Sequence, residues 1–281
     1  MEKTPGIDVS RWQGEIDWVK VAAAGYRFAV IRATIGNHYT DSRFYVNWGR
    51  AKDAGLLVSA YHVVKPEHTA ESQIARFVEV MGDRRPDLPL VLDIELSGDL
   101  SPEEVTDSIR ACLHLTAQFE DRNPIIYTAR WFWSKQVLPS PEWATYDLWV
   151  ANYGVSSPTL FDSWKTWRFW QYSEKGKVPG VGSQYTDLNW FAGSYKDLLV
   201  YAGKEEPQPQ PQPPVGLRAR VSVPKLNVRS GPGLAYPDIG DLHAGDVVTI
   251  LSLDGSEVWV EFEPGKWAAL CLRGDRYMEL E

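Results

Sequence analysis

Leu90-Val91-Leu92-Asp93-Ile94-Glu95 is an apolar run that ends in two carboxylates. Residues 90–94 read as a buried strand. Side chains on a strand alternate between faces and rise about 3.3 Å per residue, so Asp93 and Glu95 share one face, roughly 7 Å apart at the backbone, while Ile94 takes the other. Two acids held that close cannot both ionise freely. One is expected to keep its proton near neutral pH while the other stays charged, the condition that general acid chemistry requires. An Asp-x-Glu at a strand end also occurs as a solvated terminus or an ion-pair partner, so its meaning depends on the surrounding chain.

Outward from this strand, apolar runs alternate with helical patterns. Upstream, Ile7-Asp8-Val9 is a short strand broken by a carboxylate, and Ile16 to Ala24 reads as a helix with Asp17 near its start and Gly25 at a left-handed C-cap. Phe28 to Ala33 is the next strand, followed by a helix over Asp41 to Ala54, a strand over Leu56 to His62 and a helix over Thr69 to Met81. Downstream, Ser101-Pro102-Glu103-Glu104 supplies a cap, a proline at the first helical position and first-turn acids, opening a helix to Phe119. Pro124 to Thr128 is a strand, Trp131 to Val137 a short helix and Leu148 to Ala151 a strand. Trp167 to Tyr172 and Thr186 to Asn189 follow as strands without a convincing helix before either.

This alternation predicts a parallel sheet with helices outside it, and eight strands suggest closure into an α/β barrel whose last units lack helices. Reacting groups in such barrels gather at the C-terminal ends of the strands. Asp8, Asp93, Glu95 and Asp187 are expected at or near such ends in the first, fourth and eighth strands. Closure makes the first and eighth neighbours, so the four carboxylates are expected to share one mouth.

The 281 residues suffice for one large domain with a small appendage. The net charge of −8 disfavours broad attraction to nucleic acid or anionic lipid. No apolar run reaches the roughly 18 residues of a membrane span. No signal-peptide core follows Met1, so the reading is a chain lacking its leader or exported by another route. Cys112 reads as a buried free thiol, distant in sequence from Cys271. His38 and His62 have no second ligand set at metal spacing, so neither metal nor other cofactor is expected, and His62 reads as a structural imidazole. Residues 204–214, rich in Pro and Gln, read as a stiff extended linker of roughly 25 Å between residues 1–203 and 215–281. The last segment has short β-branched runs between Gly- and Pro-containing turns, the pattern of a small β-barrel. It carries seven Lys and Arg against ten Asp and Glu, so its binding is not expected to rest on positive charge.

Gly6-Ile7-Asp8-Val9-Ser10 with Trp12-Gln13-Gly14, Ile31-Arg32-Ala33-Thr34 with Gly36, Ala60-Tyr61-His62, Asp93-Ile94-Glu95, Tyr127-Thr128, Leu148 to Ala151, Trp170-Gln171-Tyr172 and Asp187 to Phe191 occur in one order along the first domain. Together they resemble glycoside hydrolase family 25, the Chalaropsis-type lysozymes. The resemblance implies an incomplete TIM-like barrel of eight strands and about five helices, and cleavage after N-acetylmuramic acid in bacterial peptidoglycan with net retention. Ile35 stands where the family commonly has an acid. Leu226 to Gly233 resembles a bacterial SH3-like module, which implies a wall-binding domain.

In this reading Glu95 is the general acid, its pKa raised by a charged Asp93 that also stabilises the developing positive charge. The substrate acetamido group is expected to serve as nucleophile, with Asp8 and Asp187 positioning it or Asp93. Tyr61, Tyr127, Trp149 and Tyr172 are expected to line the cleft. The protein is expected to act as a monomer on a cell wall, secreted or released as a phage lysin. A chitinase-like enzyme is disfavoured because Val91 and Leu88 occupy the places of its further acids. A wall-binding protein without activity is disfavoured by four intact carboxylates.

Overall fold

The structure, a computed structural model, describes residues 2–204, 217–254 and 258–280. The chain divides into two compact units, Met1–Lys204 and Glu205–Glu281. The proposed linker, Lys204 excepted, lies outside the described residues.

The first unit runs β1 (Lys3–Val9), α1 (Trp18–Ala23), β2 (Phe28–Ile35), β3 (Tyr39–Thr40), α2 (Phe44–Asp53), β4 (Leu57–Val63), α3 (Ala70–Met81), β5 (Val91–Asp93), α4 (Pro102–Glu120), β6 (Ile125–Ala129), α5 (Arg130–Gln136), β7 (Leu148–Ala151), β8 (Phe169–Gly176), β9 (Thr186–Ala192) and α6 (Tyr195–Tyr201). Local signals set many of the boundaries. Thr69 caps α3, and Ser101 with Glu104 closes a capping box at α4. Gly25, just past α1, has φ +95°, which a residue with a Cβ adopts only at a cost.

Eight strands pair in the order β1-β9-β8-β7-β6-β5-β4-β2, and β1 also pairs with β2, so the sheet closes on itself. β3 adds a short hairpin to β2. One expectation needs correction: the sheet is not wholly parallel, because β9 runs antiparallel to both β1 and β8. The link from Gly176 to Thr186 contains no helix, and a short connection returns the chain in the opposite direction. Helix α6, after β9, was not expected, although Ser194 and Asp197 close a capping box at its start.

Alternation along the strands divides the apolar residues between two layers. Ala29 and Ile31 pack outward with the helices, whereas Phe28 and Val30 join Val91, Ile125, Trp149, Phe169 and Phe191 inside. Leu198 and Leu199 of α6 complete the inner cluster. Gly6 is required by this filling, since a Cβ there would lie 2.4 Å from the Phe28 ring. Burying each phenylalanine stabilises the barrel by roughly 1.5–3 kcal/mol.

The second unit is built of short antiparallel strands around Ala219, Val221, Leu226, Val228, Val248, Val260, Ala268 and Met278. Cys112 is buried and free, its thiol pushed up to about 12 by burial. Among the described residues no helix is long and apolar enough to cross a membrane.

Candidate active site

A cavity of ≈ 230 Å³ opens at the barrel mouth, and Asp8, Asp93, Glu95 and Asp187 all line it. β1 and β5 bring Asp8 and Asp93 to their C-terminal ends, and Glu95 lies two residues past β5. Asp187 arrives differently. Because β9 is antiparallel, its first residues stand at this mouth, and Asp187 is the direct cross-strand partner of Asp8.

Asp8 is held by oriented amides. Its Oδ2 accepts from Gln171 Nε2 and from Asn189 Nδ2, each at 2.8 Å. Gln171 Oε1 accepts from the hydroxyls of Tyr127 and Tyr153, and Asn189 Oδ1 accepts from the Trp149 indole N–H at 2.9 Å. With their oxygens occupied by donors, both amides must present N–H to Asp8. Burial nevertheless raises Asp8 from 3.8 to about 6, against the lowering by Asn189, Gln171 and Asp187.

Like charges directly across a strand pair repel, so one of Asp8 and Asp187 retains a proton. That one is Asp187. Burial first, and then the Asp8 charge, raise it from 3.8 to about 8, and it shares a hydrogen bond with Asp8. Asp8 is therefore the ionised member, surrounded by three donors.

The Asp93 and Glu95 pair departs from expectation in the cause of its shifts. Glu95 is raised by burial and then by Asp8, rather than by a charged Asp93. Asp93 is itself raised well above the usual range by burial, Glu95 and Asp8, with Arg32 opposing. The pair thus holds a proton that favours the more deeply enclosed Asp93. Asp93 lines the cavity, and its Oδ1 is buried without a hydrogen-bond partner.

Tyr61, Tyr127 and Trp149 line the cavity. Tyr172 does not. On β8 Gln171 turns inward, so the next side chain turns outward, where the Tyr172 ring stacks on Trp190 at 5.0 Å and 14°. Sequence reasoning assigned no role to Gln171, Asn189, Tyr153 or Glu174, which also belong to the site. Gln171 and Asn189 stood inside quoted motifs, and the spacing of Asn189 two residues after Asp187 placed it on the inner face, whereas Gln171, next to a Tyr172 expected to face inward, was assigned the outer one. Tyr153 lies in an irregular segment where periodicity carries no signal.

His62 lies outside this cavity: Thr34 Oγ1 and Gln73 Oε1 bond its two ring nitrogens at 2.7 and 3.1 Å. Ile35 and His38 line a second cavity with Tyr39, Lys65, Glu67 and His68. Among the described residues no group of three or more His, Cys, Asp or Glu is arranged to hold a metal ion.

Comparison with known proteins matches residues 7–181 to glycosyl hydrolases family 25 and residues 224–266 to the bacterial SH3 domain. Lysozyme M1 of Streptomyces globisporus is 39% identical over 215 residues, 70% of this chain and 70% of that protein. The N,O-diacetylmuramidase of Chalaropsis sp is 29% identical over 184 residues, 60% of this chain and 87% of that one. The crystal structure of the bacterial lysozyme from Streptomyces coelicolor superposes with a TM-score of 0.67 at 38% identity, covering 72% of this chain and 98% of that one.

Proposed function

Since the chain belongs to glycosyl hydrolases family 25 and is a glycoside hydrolase, we propose that it hydrolyses peptidoglycan at the β-1,4 bond between N-acetylmuramic acid and N-acetylglucosamine, with retention. The observation that carries this reading is the convergence of four carboxyl groups from β1, β5 and β9 on one sugar-sized cavity, with Asp93 Oδ1 unpartnered.

Glu95 is the general acid. The Asp93 and Glu95 pair holds a proton because burial and the fixed charge on Asp8 disfavour ionisation of both members. Bound substrate, by donating its acetamido N–H to Asp93, shifts that proton to Glu95, the less enclosed of the two, which passes it to the glycosidic oxygen as the bond from C1 breaks. The acetamido carbonyl oxygen of the same sugar attacks C1 from the opposite face, closing a ring. Asp93, ionised by the transfer of its proton to Glu95, accepts the acetamido N–H at the unpartnered Oδ1 and offsets the positive charge that develops. Water then attacks C1 as Glu95 takes its proton, the acetamido ring reopens, and two inversions leave the original configuration. Asp8 and Asp187 act by position and charge, with Asp8 keeping its neighbours protonated and Asp187 preventing a second charge beside Asp8.

The proposed division of labour assigns hydrolysis to residues 1–203 and wall binding to residues 215–281, joined by 204–214. The cell wall, reached by secretion or phage-mediated lysis, is the place of action. Mass analysis of digested peptidoglycan tests the reading: soluble fragments should end in reducing N-acetylmuramic acid, and the initial product should be the β anomer. Reducing N-acetylglucosamine ends would assign the other bond and refute it.

A further inference from the structure

Of the thirteen tryptophans, eight are buried and three half-buried. Only Trp12 and Trp131 are exposed, at 68% and 64%. Each follows directly on a barrel strand. Trp12 sits in the 3-10 turn Arg11–Gln13 after β1, and Trp131 in the first turn of α5 after β6. Both therefore belong to the end of the barrel where the carboxylates gather.

Their separation is set by topology. Around the closed sheet the path from β1 to β6 is four strands long in either direction, through β2, β4 and β5 or through β9, β8 and β7. The two indoles thus follow opposite strands of the barrel mouth. The acid cavity, ≈ 230 Å³, holds little more than one sugar ring, so the rest of a polymer must lie along the rim.

Both rings are held in place before any ligand arrives. The Arg11 guanidinium lies over the Trp12 ring at 4.5 Å and over Tyr39 at 5.6 Å. The Arg11 backbone N–H donates to Asp41 Oδ2 at 3.1 Å, and that carboxylate also binds Arg32 at 2.8 Å. A capping box of Ser10 and Gln13 closes the turn that carries Trp12. Trp131 packs edge-on against the buried Phe132, with centroids 6.0 Å apart. Ordering these rings on binding therefore costs little conformational entropy. Exposed indoles are unfavourable in water and present flat faces suited to the C–H faces of pyranose rings.

We propose that Trp12 and Trp131 are stacking platforms for sugars of a glycan strand laid across the barrel mouth, one on each side of the cleaved bond. The proposal rests on the glycan-hydrolase reading above and extends it from one bond to a stretch of polymer.

Uncross-linked peptidoglycan glycans of four and eight sugars, given to the full chain and to W12A, W131A, W12F and W131F, test it. On eight-sugar strands each alanine variant should lose about tenfold in kcat/KM, chiefly through KM, which corresponds to one stacked ring. The loss should shrink on four-sugar strands, and phenylalanine should restore most of it. Alanine variants that match the wild type on eight-sugar strands, or lose equally at both lengths, overturn the proposal. So does a failure of phenylalanine to restore. Should the wild type cleave neither length, the hydrolase reading fails, and acrylamide quenching then decides the platforms separately. Eight-sugar strands should shield the quenchable indoles, and unchanged quenching refutes the platforms.

Discussion

His62 and Asp93 come from neighbouring parallel strands, β4 and β5, and both are polar groups inside the fold. His62 turns out of the barrel toward α3, where it stacks on Phe77 and has a partner for each ring nitrogen. Gln73 is satisfied in turn: its Nε2 donates to the carbonyls of Lys65 and His68 at 3.2 Å, and its Oε1 also accepts from the Lys65 N–H. Asp93 turns inward to a cavity lined by four other acids, and its Oδ1 has no partner. A fully bonded polar cluster specifies structure, whereas an unsatisfied and crowded one stores unfavourable energy that a ligand can relieve.

The two clusters carry opposite pH dependence. Burial lowers His62 from 6.5 to about 4, so its contribution to stability is present above pH 6.5 and is lost as pH falls through about 4. Asp8 and Asp187 are raised to about 6 and about 8, so their contribution is present below pH 4 and is lost as pH rises through those values. Between pH 4 and pH 6 the two acids outweigh the one histidine, so the stability these groups contribute should be greatest near pH 4 and fall as pH rises.

The largest expected effect separates the clusters outright. Glu95→Gln should reduce turnover of soluble glycan by about a thousandfold, the scale of a lost general acid, while leaving the folded state intact. Turnover within tenfold of wild type would remove Glu95 from the chemistry. Asp187→Asn should follow, with about a hundredfold loss of activity and a flatter decline of stability between pH 4 and pH 8, read by urea denaturation at each pH. An unchanged slope would show that Asp187 does not hold the proton assigned to it.

His62→Leu should do the reverse. It leaves Thr34 and Gln73 short of a partner and should cost about 1–3 kcal/mol of stability, with turnover per folded molecule unchanged. Thr34→Val should cost about 1 kcal/mol, the smallest effect, since it removes one hydroxyl from the same imidazole. In the wild type, activity should rise through about pH 6 as Asp8 ionises and fall through about pH 8 as Asp187 loses its proton. A rate that climbs steadily past pH 9 would contradict the assigned proton positions.

Much of the barrel was legible because its signals are local. The Ser101 capping box, the Thr69 cap and the run Leu148 to Ala151 each fix a boundary through residues a few positions apart. Helix α6 went unread although Ser194 and Asp197 close a capping box at its start, and hairpin strand β3 was missed because two residues offer no alternation for a period to emerge. Tyr172 was misplaced because an aromatic beside a strand end suits either face, and only the inward turn of Gln171 selects one.

The sequence by itself determined that acids stand at fixed places on particular strands, because the period-two geometry of a strand assigns faces from spacing alone. It also determined the break into a barrel and a β-rich appendage, through composition and periodicity. The tertiary structure alone decided that β9 runs backwards to set Asp187 against Asp8, that two amides lock Asp8 as the ionised member, and that Asp93 keeps a buried oxygen without a partner. These depend on groups far apart in the chain, and a proton's location follows from the summed burial and charge around it rather than from any one residue's identity.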